Sequence, residues 1–307
     1  MNYKIYRLNF ITGVHFGKST LTNSDFVFYA DTLFSALCKE VLKLGDEAEL
    51  ERLFYNIRQG KLQISDGLPY YKDIYYVPKP MLVTQRKKDS SIEYQKRLTN
   101  LRFLPMDMLE NYLLGTLSEQ ELDVMIDKFG TYYMQTRANV SHNEETIPYG
   151  VSAFKFKKDC GLYIIVGYET EKEELYFREI MKSLSYTGIG GKISSGLGKF
   201  VLEIEEAPRQ LIKRLQGEYK WYMSLSISLP QDNELEKSME GATYHLIKRS
   251  GFVASEYYAK EQRKKRDLYC FLSGSCFVMK YKGDMIDVSN GGGHPVYRYM
   301  IPMWIGV

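Results

Sequence analysis

The alternation of apolar and polar residues predicts a strand and two helices at the start of the chain. Tyr3 to Phe10 alternates with a period of two, which is typical of a half-buried strand. Asp31 and Thr32 stand where helix N-caps are expected. Apolar residues at helical spacing and a terminating glycine follow them: Leu33, Leu37, Val41, Leu44 and Gly45. A second helix is predicted from Glu47 to Arg58.

Less regular signals occupy the next part of the chain. Leu62 to Ser65 is a candidate strand, and the sequence Asp66-Gly67-Leu68-Pro69 that follows is typical of a turn. From about residue 85 to residue 148 the pattern is polar and interrupted, apart from an amphipathic stretch from Ser118 to Phe129. We interpret residues 85–148 as an insertion.

Regular signals return after residue 160. Gly161 to Tyr168 is a β-rich run, Lys172 to Leu184 is a helix with an acidic first turn, and Lys199 to Glu205 alternates like a strand. Together with the N-terminal elements these give the order β-α-β…β-α-β, which is that of a ferredoxin-like unit.

The remainder of the chain predicts a smaller, β-rich domain. Pro208 and a short helix mark the change, and a further helix is expected over residues 232–239. Four β-rich runs are candidate strands: residues 221–229, 242–248, 268–280 and 300–305. The predicted fold class is therefore α+β, with two ferredoxin-like (RRM-like) domains over residues 1–207 and 208–307.

Charge gives no overall sign of a nucleic-acid partner. The net charge is +3, so any such signal must be local. Two stretches are locally basic, Arg86 to Arg102 and Lys260 to Asp267 (KEQRKKRD), although a solvated loop or helix face has the same composition. The 26 tyrosines can pack in a core or stack on bases.

The cysteines and histidines show no metal-ligand spacing, so we expect reduced thiols, no metal and no cofactor. The residues concerned are Cys38, Cys160, Cys270, Cys276, His15, His142, His245 and His294. No apolar run approaches the length of a membrane span, and the N-terminus has no apolar signal region. We therefore expect a cytoplasmic protein without a membrane partner.

The most distinctive segment joins a predicted helix to a predicted strand. Five glycines fall within residues 188–198 (GIGGKISSGLG), with one lysine inside, a second directly after and two adjacent serines. Glycine permits positive φ and close approach of backbone N–H groups to an anion, and serine and lysine add donors. This glycine-rich loop therefore predicts an anion site, with a long flexible turn as the alternative.

Two nucleotide-binding motifs are excluded by their spacing. Walker A requires a glycine five residues before its Gly-Lys pair, but Tyr186 and Ile193 stand at that distance from the two Gly-Lys pairs here. The dinucleotide motif GxGxxG fails because Ile193 stands in place of its third glycine. The loop also precedes a strand, so no helix N-terminus faces a ligand.

A glycine-rich loop before the last strand of a ferredoxin-like domain resembles the signature of the RAMP superfamily of CRISPR proteins. Other segments are similar to the fourth subunit of the type III-A Csm effector complex, from residue 7 almost to the end. These are His15-Phe16-Gly17, residues 31–37 (DTLFSAL), residues 64–70, Pro78-Lys79-Pro80 and residues 294–299 (HPVYRY).

The resemblance implies a non-catalytic subunit that caps one end of the complex and holds the 5′ repeat-derived handle of the crRNA. It also implies docking of the large polymerase-like subunit, contact with an adjacent RAMP backbone subunit and indirect contact with target RNA. The segment from Arg86 to Arg102 corresponds, in this interpretation, to a thumb-like projection near the start of the guide–target duplex.

In the same interpretation RNA lies between the glycine-rich loop and the loop after the first strand, which the β-α-β order brings together. Glycines give backbone access, lysines contact phosphates and serines donate hydrogen bonds. The predicted RNA-binding residues are His15, Gly17, Lys18, Ser19, Arg137, Gly188, Gly190, Gly191, Lys192, Ser194, Ser195, Gly196, Gly198, Lys199 and Arg249.

Two other functions stay open. A metal-independent RAMP endoribonuclease that processes precursor crRNA would use His15 as general acid or base, because related RAMP nucleases place a catalytic histidine early in the chain. Those nucleases carry the glycine-rich loop near the C-terminus, whereas 109 residues follow Gly198 here, which favours binding over cleavage. The third class is a protein-bridging scaffold without RNA contacts.

Overall fold

The computed structural model describes residues 1–18, 20–82, 91–125, 128–138, 147–255 and 257–307. The strands up to residue 206 are β1 (Asn2–Phe10), β2 (Phe16–Gly17), β3 (Ser24–Asp25), β4 (Leu62–Ile64), β5 (Leu68–Tyr71), β6 (Ile74–Pro78), β7 (Phe103–Pro105), β8 (Gly130–Ala138), β9 (Pro148–Phe156), β10 (Cys160–Tyr168) and β11 (Phe200–Glu206). The helices in this part are α1 (Ala30–Leu44), α2 (Glu47–Arg58), α3 (Ile92–Asn100), α4 (Leu109–Leu113), α5 (Glu119–Val124) and α6 (Glu171–Thr187).

The rest of the chain forms shorter elements. Its helices are α7 (Arg209–Gln216) and α8 (Asp232–Met239). Its strands are β12 (Tyr222–Ser224), β13 (Leu246–Arg249), β14 (Leu268–Phe271), β15 (Cys276–Phe277), β16 (Asp284–Asp287), β17 (Tyr297–Met300) and β18 (Trp304–Gly306). Among the described residues, no helix combines the length and the apolar character needed to cross a membrane.

The central sheet has the strand order of a ferredoxin-like unit. β1 lies between β11 and β10, and β4 pairs with the other edge of β10, always antiparallel. Across the sheet the four strands follow the order β11, β1, β10 and β4, which are the last, first, third and second strands of the unit along the chain. α1 follows the first of them and α6 follows the third. β5, β6 and β7 extend the sheet beyond β10. The ferredoxin-like prediction is confirmed.

Both faces of this sheet are covered, which explains the apolar run in β10, where every residue is buried. On one face Tyr6 packs edge-on against Phe177 of α6. On the other face Ile5 belongs to a cluster that includes Leu225 and Ile305 from the second half of the chain. The two halves therefore bury apolar surface against each other.

The second half repeats the strand relation in a shorter form. β12 lies between β15 and β18, a bridge from Ser228 to Phe271 continues the same pairing, and β14 pairs with β13. α8 has the bounds that the sequence predicted. The predicted strands over residues 221–229 and 268–280 are interrupted where the hydroxyl groups of Ser224 and Ser275 donate to nearby carbonyl oxygens.

Asp31 and Thr32 do not cap α1, so this prediction is wrong. Tyr29 is the N-cap residue, and Asp31 lies in the first turn with its carboxylate buried. Arg249 donates to both carboxylate oxygens, at 2.8 and 3.0 Å, and Arg298 donates at 2.5 Å. Burial alone would raise the pKa of Asp31, but the two guanidinium groups outweigh it and hold the pKa below its ordinary value.

The predicted turn at residues 66–69 is also wrong, because Leu68 begins β5 and Asp66 is buried. Asp66 Oδ1 accepts the N–H of Ala30 at 2.7 Å and that of Ile227 at 3.1 Å. Burial raises the pKa of Asp66 to about 7, against the effect of these two N–H groups. Two buried carboxyl groups thus join the start of α1 to the second half of the chain.

The predicted insertion holds regular structure that the sequence pattern did not reveal. β8 pairs with β9 over nine residues from each strand, from Gly130↔Phe156 to Ala138↔Pro148. Among the described residues of the amphipathic stretch predicted from Ser118 to Phe129, the helical part is α5. Of the thumb-like segment, Arg86 lies outside the described residues, and Arg102 donates to the two carboxylate oxygens of Asp25 through Nη1 and Nη2, each at 3.1 Å.

Replacing Asp31 by asparagine should cost much more stability than the same change at Asp66. Asp31→Asn leaves the buried Arg298 and the partly buried Arg249 without a counter-charge, which we expect to cost about 3–5 kcal/mol. Asp66→Asn replaces a carboxyl group that is mostly neutral at pH 6 and keeps an oxygen for both N–H donors, so about 1 kcal/mol or less is expected. Urea denaturation at pH 6 measures both losses. Equal losses would contradict the charged joint at Asp31.

Candidate nucleic-acid interface

The glycine-rich loop is a folded turn whose two ends touch. Gly188 (φ 93°) follows α6 and donates its N–H to the carbonyl of Leu184. The N–H of Ile189 donates to the carbonyl of Gly198 at 3.0 Å. A Cβ at Gly198 would lie 2.1 Å from the carbonyl oxygen of Ile189, and one at Gly188 would lie 2.8 Å from that of Leu197. These two buried glycines allow the close approach.

Most of the glycine N–H groups in the loop donate to carbonyl groups of the protein. Fewer of them are therefore free to contact RNA than the five that the sequence predicted. The N–H groups that donate to protein carbonyls are those of Gly188, Gly191, Gly196 and Gly198. The N–H groups of residues 190 and 192–194 have no acceptor among the described residues. An anion at this loop would therefore meet these N–H groups and nearby side chains.

The loop lies against the segment after β1, as the strand order predicted. Gly191 N–H donates to the carbonyl of His15 at 2.8 Å, and Gly198 N–H donates to that of Gly13 at 2.9 Å. A Cβ at Gly190 would lie 2.8 Å from the carbonyl oxygen of His15, and a Cβ at Gly191 would lie 2.7 Å from the imidazole ring of His15. This adjacency is confirmed. Ser19 lies outside the described residues.

His15 is buried and its ring is held by the hairpin of β8 and β9. Its Nδ1 lies 2.7 Å from the carbonyl oxygen of Ser152, which can only accept a hydrogen bond. Nδ1 therefore carries the proton, and Nε2 faces Gly17, where a Cβ would lie 3.2 Å from it. His15 connects the hairpin, the segment after β1 and the glycine-rich loop.

The hairpin also brings residues to the loop that sequence reasoning missed. Arg137, which pairs with Tyr149 across the hairpin, donates to Ser195 Oγ and to Gln135 Oε1, the latter at 2.6 Å. The Lys192 ammonium lies 5.3 Å from the centre of the Tyr149 ring. Arg137 was predicted, whereas Tyr149 and Gln135 are additions. The available signal was the period-two spacing of Gln135 and Arg137.

The solvent-facing side of the loop is polar and basic. Ser194, Ser195 and Lys199 are exposed. Among the described ion pairs, none involves Lys192, Lys199 or Arg137. Lys18 differs, because its ammonium lies 3.2 Å from the carboxylate of Asp25. The uncompensated positive charge is therefore on the loop and the hairpin.

Arg249 lies behind the loop rather than on this surface. Its guanidinium binds Asp31 and lies 4.8 Å from the centre of the Tyr29 ring. It lines a cleft together with Gly188 and Gly190. Direct contact between Arg249 and RNA stays a prediction. Asp31 already neutralises much of the positive charge of the Arg249 guanidinium group.

Comparison with known proteins identifies the family. Residues 7–201 match the model of the RAMP superfamily, and residues 217–307 match that of the CRISPR Csm4 C-terminal domain. The CRISPR system Cms protein Csm4 of Mycobacterium tuberculosis is 38% identical over 309 residues, covering 100% of this chain and 98% of the relative. The chain belongs to the Csm4 family. The Csm4 of Streptococcus thermophilus is 35% identical over 313 residues, covering 99% and 98%.

Solved structures share the fold of this Csm4-family chain along its whole length. A chain of the Csm3–Csm4 subcomplex in the type III-A CRISPR-Cas interference complex superposes with a TM-score of 0.69 at 19% identity, covering 100% of this chain and 99% of the other. A chain of the Csm1–Csm4 cassette in complex with AMPPNP gives a TM-score of 0.64 at 19% identity, covering 100% and 98%.

Alanine at Gly198 should destabilise the protein more than alanine at Gly196. Both residues have positive φ, at 81° and 87°, so each substitution adds backbone strain of about 1–2 kcal/mol. A Cβ at Gly198 also collides with the carbonyl of Ile189, whereas nothing lies within 4 Å of a Cβ at Gly196. In urea denaturation we expect the Gly198→Ala loss to be larger by at least about 1 kcal/mol. Indistinguishable losses would mean that the ends of the loop do not touch.

Proposed function

We propose that this chain is a non-catalytic RNA-binding subunit of a type III-A CRISPR effector complex in antiviral defence. It holds the 5′ repeat-derived handle of the crRNA on a surface made by the glycine-rich loop, the segment from His15 to Gly17 and the β8–β9 hairpin, which we call the loop surface. The observation that carries the proposal is the convergence of Lys192 and Arg137 at Tyr149, where neither cation has a carboxylate partner among the described residues.

The chemistry of the loop surface suits an RNA backbone. Each phosphodiester carries one negative charge, and lysine and arginine neutralise it with release of counterions. Serine hydroxyls and backbone N–H groups add directional donors that read no base sequence. Lys192, Lys199 and Arg137 supply charge and Ser194 supplies an exposed hydroxyl group. The Ser195 hydroxyl already donates to the carbonyl of Lys192 at 2.8 Å and accepts from Arg137. These groups favour binding of the backbone over readout of base edges.

The relatives support the proposed partners. Structures that share this fold contain Csm4 together with Csm3 in one case and with Csm1 in another. By this relation the chain caps the effector complex, docks its large polymerase-like subunit and contacts an adjacent RAMP backbone subunit. Contact with target RNA is then indirect, through the guide.

We infer that the chain does not cleave RNA. Metal-independent cleavage requires a general acid or base within reach of a ribose 2′-OH. His15 is 5% exposed, and its ring lies between Ser152 and Gly17. This environment supports a positioning role for His15, which fixes the hairpin relative to the glycine-rich loop.

Replacing Lys192 and Lys199 together by alanine should weaken binding of handle RNA. We expect the affinity to fall about tenfold or more, because each lysine gives a charge-assisted contact. The slope of log affinity against log salt should become shallower by about 1.4, since each phosphate contact on a single strand contributes about 0.7. Fluorescence anisotropy with labelled RNA at several salt concentrations measures both. RNA recovered after incubation with wild type in EDTA should be intact.

The matched control is Lys213→Ala with Lys237→Ala, which removes the same charge from exposed positions on α7 and α8 that form no ion pair among the described residues. Its RNA affinity and salt dependence should equal those of wild type. If the Lys192 and Lys199 variant also equals wild type at every salt concentration, the loop surface is not the RNA site. Cleavage in EDTA that His15→Ala abolishes would establish the endoribonuclease instead.

A further inference from the structure

A cleft of about 210 Å³ lies behind the glycine-rich loop, between α1 and the end of β13 in the second half of the chain. The loop contributes Gly188, Gly190 and Ile193 to its wall, and residues 249–252 form the opposite side. Five cationic side chains line it: Lys39, Lys43, Arg249, Lys265 and Arg298. Two carboxylates, Asp31 and Glu40, line it as well. We call this space the inter-domain cleft.

Positive charge in the cleft exceeds what the carboxylates neutralise. Asp31 binds both arginines, and Glu40 binds Lys43 at 3.3 Å. Lys39 and Lys265 form no ion pair with any described residue. Arg298 Nε is buried and has no hydrogen-bond partner among the described residues. Five cations against two carboxylates leave a formal charge of +3 around the cleft.

The two unpaired lysines are held in an unfavourable environment. Burial, together with Arg298 and Lys39, lowers the pKa of Lys265 to about 8, although Asp31 acts in the opposite direction. Burial and the neighbouring Lys43 lower the pKa of Lys39. A lysine whose pKa is depressed in the folded protein reduces stability near neutral pH relative to an uncharged side chain. Packing alone therefore gives no reason for the charge at Lys265, whereas Lys39 has an exposed side chain.

We propose that the inter-domain cleft binds one phosphate group of the RNA held on the loop surface, with Lys39 and Lys265 as its charged ligands. The proposal rests on the proposed function, because the phosphate belongs to the same handle RNA. Gly190 belongs to the loop surface and also lines the cleft, and its N–H has no acceptor among the described residues. The RNA backbone thus passes from the loop surface into the cleft at Gly190.

One lysine of the basic run from Lys260 to Asp267, Lys265, lines the inter-domain cleft. Lys265 N–H donates to the carbonyl of Gly251 at 2.8 Å, which fixes its backbone beside the cleft. Two neighbours are engaged elsewhere, since Lys264 pairs with Asp267 and Arg266 donates to the carbonyl of Asp287. The run therefore contributes a specific lysine to the cleft, in addition to a solvated basic surface.

The test replaces both lysines by glutamine in the full-length chain. Lys39→Gln with Lys265→Gln should weaken handle-RNA binding about tenfold and make the salt slope shallower by about 0.7, the value for one phosphate contact. The charge-keeping variant Lys39→Arg with Lys265→Arg should retain most of the affinity. The Lys213→Ala and Lys237→Ala variant should bind like wild type. The glutamine variant should melt at the same temperature as wild type or higher, because two crowded charges are gone.

Separate outcomes distinguish this inference from the proposed function. If wild type binds RNA and the glutamine variant matches it in affinity and salt slope, the cleft takes no RNA phosphate while the loop surface stands. If wild type binds no RNA, both the proposed function and this inference are wrong.

A free phosphate compound is the other source of the same chemistry. If millimolar inorganic phosphate or ATP raises the melting temperature of wild type but not of the glutamine variant, and RNA binding is the same for both, a free ligand occupies the cleft and the proposal is wrong. If the double glutamine variant melts at a lower temperature than wild type, the single variant Lys39→Gln serves as the test, because Lys39 is exposed. If Lys39→Gln then binds handle RNA with the affinity and salt slope of wild type, the proposal is wrong.

Discussion

The buried ion pair between Asp31 and two arginines of the second half is the interaction on which the geometry of the site depends. A buried carboxylate is costly to desolvate, and here two guanidinium groups compensate for it. Because Asp31 lies in the first turn of α1, these contacts fix that helix relative to Arg249 in β13 and Arg298 in β17. Asp66 adds two backbone hydrogen bonds at the same place. The inter-domain cleft and the rear of the glycine-rich loop both lie beside this joint.

The loop surface is assembled from segments that are far apart in the chain. His15, Ser152 and Gly191 are linked by hydrogen bonds, and Arg137 reaches Ser195 from the hairpin. Since four of the five glycine N–H groups already donate within the protein, the loop has a defined shape before any ligand arrives. A preformed surface loses less conformational entropy on binding than a mobile loop. This favours a holder of RNA whose phosphate contacts are set by the fold.

The sequence pattern predicted the ferredoxin-like core because most of its strands and helices show one clear pattern of apolar and polar residues along their length. β10 is buried along its whole length, and α2 and α8 have the predicted bounds. β1 forms at the predicted place but is not half-buried, because Lys4, Ile5 and Tyr6 are buried in succession and both faces of the sheet are covered. The β8–β9 hairpin was missed because most side chains of β8 are exposed, so no apolar alternation marks it. Asp31 was mistaken for a cap because its partners lie 218 and 267 residues further along the chain. No local pattern contains that information.

Crosslinking mass spectrometry on the assembled effector complex tests the central claim most directly. With the guide RNA photoactivatable along its 5′ handle, the account predicts crosslinks to this chain at Lys192, at Tyr149 and around Gly190. Assembly of the full complex with no crosslinks between the handle and this chain would contradict it, and would make the protein a scaffold that bridges other subunits.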